Sequence, residues 1–101
     1  MGMQRLRASW TFLSNHAHVL IALAKEPSLR VRDLAMVVGI TERAVSAILT
    51  DLEEAGVLVR ERAGRRNMYT INPDAPLRHS VESHRKVSDL LQLAEVEPGK
   101  A

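Results

Sequence analysis

Apolar residues recur at helical spacing in two neighbouring segments near the middle of the chain. They lie at i, i+3, i+4 and i+7 in both, as Val31, Leu34, Ala35 and Val38 and then as Val45, Ile48, Leu49 and Leu52. Between the segments, Gly39 can adopt a left-handed backbone conformation and Ile40 can turn inward. Because Ala35 is small, the second helix can approach closely. The pattern predicts two short helices that cross at a steep angle, which is a helix-turn-helix.

Capping and strand signals extend this prediction. Thr41 is placed to cap the second helix and Glu42 complements its positive dipole end, while Gly56 is expected just beyond its last residue, Ala55. The following segments, 57–62 and 67–71, have strand composition, and residues 63–66 between them are typical of a turn. The sequence therefore predicts an antiparallel hairpin directly after the helix-turn-helix.

Two further helices are predicted on either side. The first runs from about Thr11 to Lys25 and ends before Glu26-Pro27, with residues 28–30 as an extended link to the next helix. It carries two apolar stripes, which implies two packing partners, and we expect the second partner to be another subunit. The last predicted helix spans about Ser80 to Glu95 and also needs a covering surface.

Composition limits the possible functions. At 101 residues the chain is long enough for one domain. It contains no cysteine, which excludes disulfides and thiolate metal sites. The longest apolar run, residues 19–24, is too short to cross a bilayer, and no charged-then-apolar leader opens the chain, so we expect a cytoplasmic location.

The net charge is only +2, but the charge is unevenly placed. Residues 42–55 carry four acids against one arginine, whereas residues 56–67 carry four arginines against one glutamate. Positive charge is therefore concentrated in the hairpin, where guanidinium groups are suited to bind phosphates. The alternative is a charged turn that keeps an edge strand soluble.

Catalytic and metal signals are weak. No nucleophile elbow, glycine-rich phosphate loop or paired-carboxylate motif accompanies the serines and histidines, so we expect no enzyme activity. His16 and His18 lie on different faces of a helix, and His79 and His84 are five residues apart, a poor chelating interval. We expect no cofactor and no metal site, although a site shared across a dimer, with Glu82 as a further ligand, stays open.

The order of helices, turn and basic hairpin resembles the winged helix-turn-helix of bacterial transcriptional regulators of the MarR and ArsR type. The resemblance rests on DLAMVVGITERAVSAILTDLEEAGVLVRER followed by GRRNMYTI, and it covers about residues 12–71. The chain is shorter than a typical MarR protein and lacks the cysteine motif of thiolate-using ArsR sensors. The resemblance implies a mainly α fold with a small β-hairpin wing (α+β) and flanking N- and C-terminal dimerisation helices.

This organisation divides the chain into four parts. We expect a flexible basic arm at 1–8, a winged helix-turn-helix domain at 9–74, a C-terminal dimerisation helix at 75–95 and a frayed tail at 96–101.

A recognition helix presents only its first turns and outward face to base edges in the major groove. That face here comprises Thr41, Glu42, Arg43, Ser46, Ala47 and Thr50. Arg43 can bind guanine O6 and N7 with both arms of its fork. The alternative for Arg43 is a salt bridge on a solvated surface. The expected DNA contacts of the wing are Arg60, Arg62, Arg65, Arg66 and Asn67.

The surplus apolar and aromatic residues define the expected dimer interface. It comprises Trp10, Phe12, His16, Val19, Leu23, Val81, His84, Val87, Leu90, Leu91 and Ala94.

The predicted function is a homodimeric, sequence-specific regulator of transcription that binds double-stranded DNA at an inverted repeat. Two alternatives remain open: a winged-helix module that docks onto another protein, and a metal- or ligand-responsive sensor of the ArsR type. Whether a small-molecule effector exists is also left open.

Overall fold

A computed structural model describes residues 9–95. It contains the helices α1 (Asn15–Lys25), α2 (Val31–Val38), α3 (Glu42–Glu54) and α4 (Val87–Leu93), and the strands β1 (Leu58–Ala63) and β2 (Arg66–Ile71). The fold class is thus the predicted one, mainly α with a two-stranded β wing. The expected basic arm at 1–8 and tail at 96–101 lie outside the described residues. Of the helices in the described part, none has the length and apolar character that a membrane span requires.

The turn between α2 and α3 forms as the sequence predicts. Gly39 has a φ of 85°, in the left-handed region, and its N–H donates to the Ala35 carbonyl at 2.8 Å, while the Ile40 N–H donates to the same oxygen at 3.1 Å. The Thr41 hydroxyl accepts the Ala44 N–H at 3.0 Å and so caps α3. Local sequence signals therefore fix where α2 ends and α3 begins.

The hairpin pairs β1 with β2 in antiparallel register, from Leu58 opposite Ile71 to Ala63 opposite Arg66. Relative to the predicted bounds, β1 is shifted by one residue and β2 begins one residue earlier, because Ala63 and Arg66 join the ladder and leave only Gly64 and Arg65 at the tip. Gly64 has a φ of 65°, a conformation that suits a two-residue hairpin turn.

The predicted start of α1 at Thr11 is wrong. The helix begins at Asn15, because Ser14 adopts an extended conformation and its hydroxyl accepts the Ala17 N–H at 3.3 Å. The predicted end at Lys25 is confirmed. A serine followed by an apolar helical pattern is a recognisable start signal, and Ser14 carries it.

The prediction of a long C-terminal helix is also wrong, since α4 has only 7 residues. Residues 77–85 form turns instead, and Pro76 and Lys86 make an isolated antiparallel bridge. Lys86 is held in an extended conformation, and its N–H donates to the Asp89 carboxylate at 2.9 Å. This bond caps α4 one residue before Val87, so that the helix does not extend further back.

The apolar core is built around α1, which contacts α2, α3, β2 and α4. Val19 and Leu23 of the second predicted stripe are covered within the subunit, at 0% and 1% exposed, whereas Phe12 of that stripe is 90% exposed and precedes α1. Val87 and Leu91 of α4 are also buried in this core. The prediction that Val19, Leu23, Val87 and Leu91 belong to the dimer interface is wrong, because they are inside the core of the subunit.

Candidate nucleic-acid interface

Helix α3 separates an apolar face from a polar one. Val45, Ile48, Leu49 and Leu52 are buried in the core. All six residues expected on the outward face are exposed: Thr41, Glu42, Arg43, Ser46, Ala47 and Thr50. Because the buried face anchors the helix, the exposed face is held in a fixed orientation, as insertion into a DNA groove requires.

Arg43 extends from the first turns of this face. Among residues 9–95 it makes no ion pair, so the expected alternative of a surface salt bridge is not formed within that part of the chain. A guanidinium group with unused donors is able to bind two acceptors on one base edge.

Two acidic side chains on the second half of α3 pair with residues of the same subunit. The Asp51 carboxylate lies 2.8 Å from Nε2 of His16 on α1, and the Glu53 carboxylate lies 3.3 Å from Nε of Arg60 on β1. These contacts tie the C-terminal half of α3 to its neighbours. They also leave less unpaired negative charge near a bound DNA backbone.

The wing arginines have unequal surroundings. Arg60 pairs with Glu53 and stands opposite Tyr69 in the hairpin, on the side of the strand that packs toward the core. Burial raises the pKa of the Tyr69 phenol, and the charge of Glu53 raises it further, while the charge and hydrogen bond of Arg60 lower it. Arg60 is therefore bound within the subunit rather than free at the tip.

The arginines nearer the tip of the hairpin differ from Arg60 in their hydrogen-bond and ion-pair partners. Nε of Arg62 donates to the Gly64 carbonyl at 3.3 Å, and Nη2 of Arg66 donates to the Ser28 carbonyl in the link before α2. Arg65 makes no ion pair with any residue of the described part. Asn67 is exposed opposite Arg62. Arg65 is thus the wing cation best placed to bind an external group.

Sequence reasoning did not select Arg30. The structure places it beside the wing, where it lines a pocket of about 230 Å³ with Arg65, Arg66 and Asn67. The sequence around Arg30 contains no pattern that identifies it as a site residue, because its proximity to the wing depends on how the hairpin packs against the link before α2. The Arg66 bond to Ser28 is the contact that brings the two segments together.

A second candidate surface lies between the residues around the start of α1 and the C-terminal segment. It is a groove of about 570 Å³ that Phe12, Leu13, Leu77, Leu90 and Leu93 line in part. Phe12 is 90% exposed, and its ring packs edge-on against Trp10 with centroids 4.9 Å apart. Exposed aromatic residues beside an apolar groove are typical of a contact surface.

Of the remaining residues of the expected dimer interface, His16 and Leu90 also line this groove. His16, Val81 and His84 are exposed, and Leu90 and Ala94 are partly buried. Within residues 9–95 no group of three or more histidine and acidic side chains is arranged to hold a metal ion.

The order of helices and the β hairpin define a winged helix-turn-helix fold. A family model described as MarR family matches residues 11–66, more than half of the chain. The chain belongs to the MarR family, whose members are DNA-binding transcription regulators. The ArsR part of the resemblance is not confirmed by this match. Neither a search of curated proteins nor a search of solved structures found a match.

Proposed function

We propose that the protein regulates transcription as a homodimer that reads an inverted-repeat operator. The observation that carries the proposal is the exposed outward face of α3 with the unpaired Arg43 on it. In this arrangement α3 enters the major groove, Arg43 reads a guanine, and Arg65 holds the backbone or reaches the adjacent minor groove.

The dimer is supported by the apolar flank rather than by the buried stripe of α1. Trp10, Phe12, Val81 and Leu93 are each at least 66% exposed, and covering exposed apolar side chains on association is favourable. The proposed interface comprises the surface residues Trp10, Phe12, His16, Val81, His84, Leu90 and Ala94, with Leu93 added by the structure. A twofold dimer would present two α3 helices, with half-site centres about 10 bp apart.

Selection of bound sequences from a random duplex library tests this function directly. We expect enrichment of an inverted repeat, because two equivalent α3 helices read the same bases on opposite strands. Enrichment of a single half-site would remove the homodimer from the proposal. Absence of any salt-sensitive binding to duplex DNA would contradict the DNA-binding role as a whole.

The rival function, a protein-docking module, is favoured by the acids on the second half of α3. Two of those acids, Asp51 and Glu53, already bind His16 and Arg60 within the subunit. Because these two carboxylates already have partners within the subunit, they are less available to a partner protein, and protein docking is the weaker of the two proposed functions. The metal-sensor alternative has no supporting ligand group in residues 9–95.

Phe12→Glu is expected to disrupt the dimer. Burial of a Phe side chain stabilises by about 1.5 to 3 kcal/mol, and a twofold interface contains it twice, so we expect a loss of about 3 to 6 kcal/mol in association. Sedimentation equilibrium measures this loss. Met36→Glu, a similarly exposed apolar position on α2, serves as the control and should leave the dimer intact. Unchanged association of the Phe12 variant would remove this flank from the interface.

Arg65→Ala is expected to weaken binding to all duplex sequences to a similar degree. It should also lower the slope of log affinity against log salt concentration by about two for the dimer, since each subunit loses one phosphate contact. Arg60→Ala, the control in the same hairpin, should leave the slope unchanged because Arg60 pairs with Glu53. Fluorescence anisotropy at several KCl concentrations gives both slopes, and equal slopes for the two variants would contradict the assignment.

A further inference from the structure

The pocket between the wing and the link before α2 brings together arginines from two separate segments of the sequence. Arg30, Arg65 and Arg66 line it together. Among residues 9–95, the single carboxylate paired with any of the three is that of Asp33, whose Oδ2 lies 3.7 Å from Nε of Arg30. The same oxygen also accepts the Arg30 backbone N–H at 3.1 Å. The three arginines together with Asp33 therefore carry a net positive charge.

The Arg66 guanidinium is held in place before any ligand arrives. One of its N–H groups donates to the Ser28 carbonyl, and a guanidinium has five N–H donors, so others remain for a ligand. A tethered side chain loses less conformational entropy on binding than a free one. Planar forks of this kind match the oxygens of a phosphate group.

We propose that this pocket binds one phosphate group of the DNA backbone, with Arg30 as a contact residue and Arg66 as a pre-positioned partner. The inference rests on the proposed DNA-binding function and adds a site outside the outward face of α3. The first helix of a helix-turn-helix crosses the DNA backbone, which brings a phosphate to this side of the domain. With about 230 Å³ of space, the pocket can take a group of that size.

A double-mutant cycle between protein and DNA tests the proposal. The protein variants are Arg30→Gln and, as a matched control, Arg32→Gln, which removes the same charge from an exposed neighbour that does not line the pocket. The DNA variants are operator duplexes in which one phosphate position at a time is replaced, in both half-sites, by an uncharged methylphosphonate. Anisotropy gives each affinity, and circular dichroism verifies that both variants are folded.

We expect Arg30→Gln to bind the unmodified operator about tenfold more weakly per subunit, and so about a hundredfold more weakly as a dimer, as for loss of one charged hydrogen bond in each half-site. When the contacted phosphate is replaced in both half-sites, the methylphosphonates should abolish most of this difference, while Arg32→Gln shows no such coupling. If the protein and DNA changes are additive at every phosphate position, the assignment of a phosphate to this pocket is wrong, and the proposed DNA-binding function is unaffected. Failure of the wild-type protein to bind any duplex would instead overturn the proposed function, and the pocket assignment with it.

A parallel titration separates a DNA phosphate from a free one. Inorganic phosphate is added to the wild-type protein at constant ionic strength, and the arginine Nε–H signals are followed by NMR. We expect only weak, millimolar-range shifts, because a free ion lacks the contacts that the rest of the duplex supplies. Tight binding of inorganic phosphate without coupling in the DNA cycle would show that the ligand is a free phosphate compound, which would overturn the proposal.

Discussion

Arg43→Ala is expected to weaken binding of the dimer to its preferred operator by about 2 to 6 kcal/mol, since each of two half-sites loses about 1 to 3 kcal/mol of base discrimination. The physical reason is the loss of a two-armed hydrogen bond to one guanine. Arg43 makes no ion pair with residues 9–95, so the substitution breaks no such pair within that part of the fold. Base preference should relax at one position per half-site and remain unchanged elsewhere.

Arg43→Lys is the control that separates base reading from charge. Lysine keeps the positive charge but lacks the planar fork, so the salt slope should stay near the wild-type value while the preference for guanine falls. Library selection repeated with each variant measures the preference, and anisotropy measures the slope. If Arg43→Ala retains both the affinity and the base preference of the wild type, then Arg43 does not read a base.

Leu34→Ala is expected to lower the free energy of unfolding by about 2 to 5 kcal/mol, the usual cost of removing a buried leucine side chain. Leu34 is 0% exposed in the core beneath the turn, and α2 packs there against α1 and α3. The cavity would lie where the orientation of α3 is set. We therefore expect DNA affinity to fall as well under conditions that leave the variant mostly folded.

Met36→Ala provides the comparison on the same helix. Met36 is 73% exposed, and surface substitutions usually change stability by less than about 0.5 kcal/mol. Urea denaturation followed by circular dichroism measures both variants. Equal midpoints for the two would contradict the placement of Leu34 in the core.

The helix-turn-helix could be predicted almost residue by residue because its signals are local. The bounds of α2, the left-handed Gly39 and the Thr41 cap all depend on contacts within four or five residues. The sequence-based prediction did not recognise Ser14 as the N-cap of α1, and it made the C-terminal helix longer than the observed α4. In that last segment a long-range bridge between Pro76 and Lys86 determines the backbone conformation.

The candidate site was predictable in part. The outward face of α3 follows from helical periodicity, so its six residues could be named from the sequence. The sequence treats the four wing arginines alike, yet they differ in their surroundings. Glu53 pairs with one and the Ser28 carbonyl binds another, and both partners lie outside the hairpin.

By itself the sequence determined the paired helices, the turn between them and the basic hairpin, since spacing, caps and turn residues act over short distances. Only the tertiary structure decided which apolar residues remain exposed. Val19 and Leu23 of α1 are buried in the core, while Trp10 and Phe12 are 66% and 90% exposed, so these two aromatic residues remain for the proposed partner surface. It also brought Arg30 to the wing, because contacts between distant segments depend on the path of the whole chain.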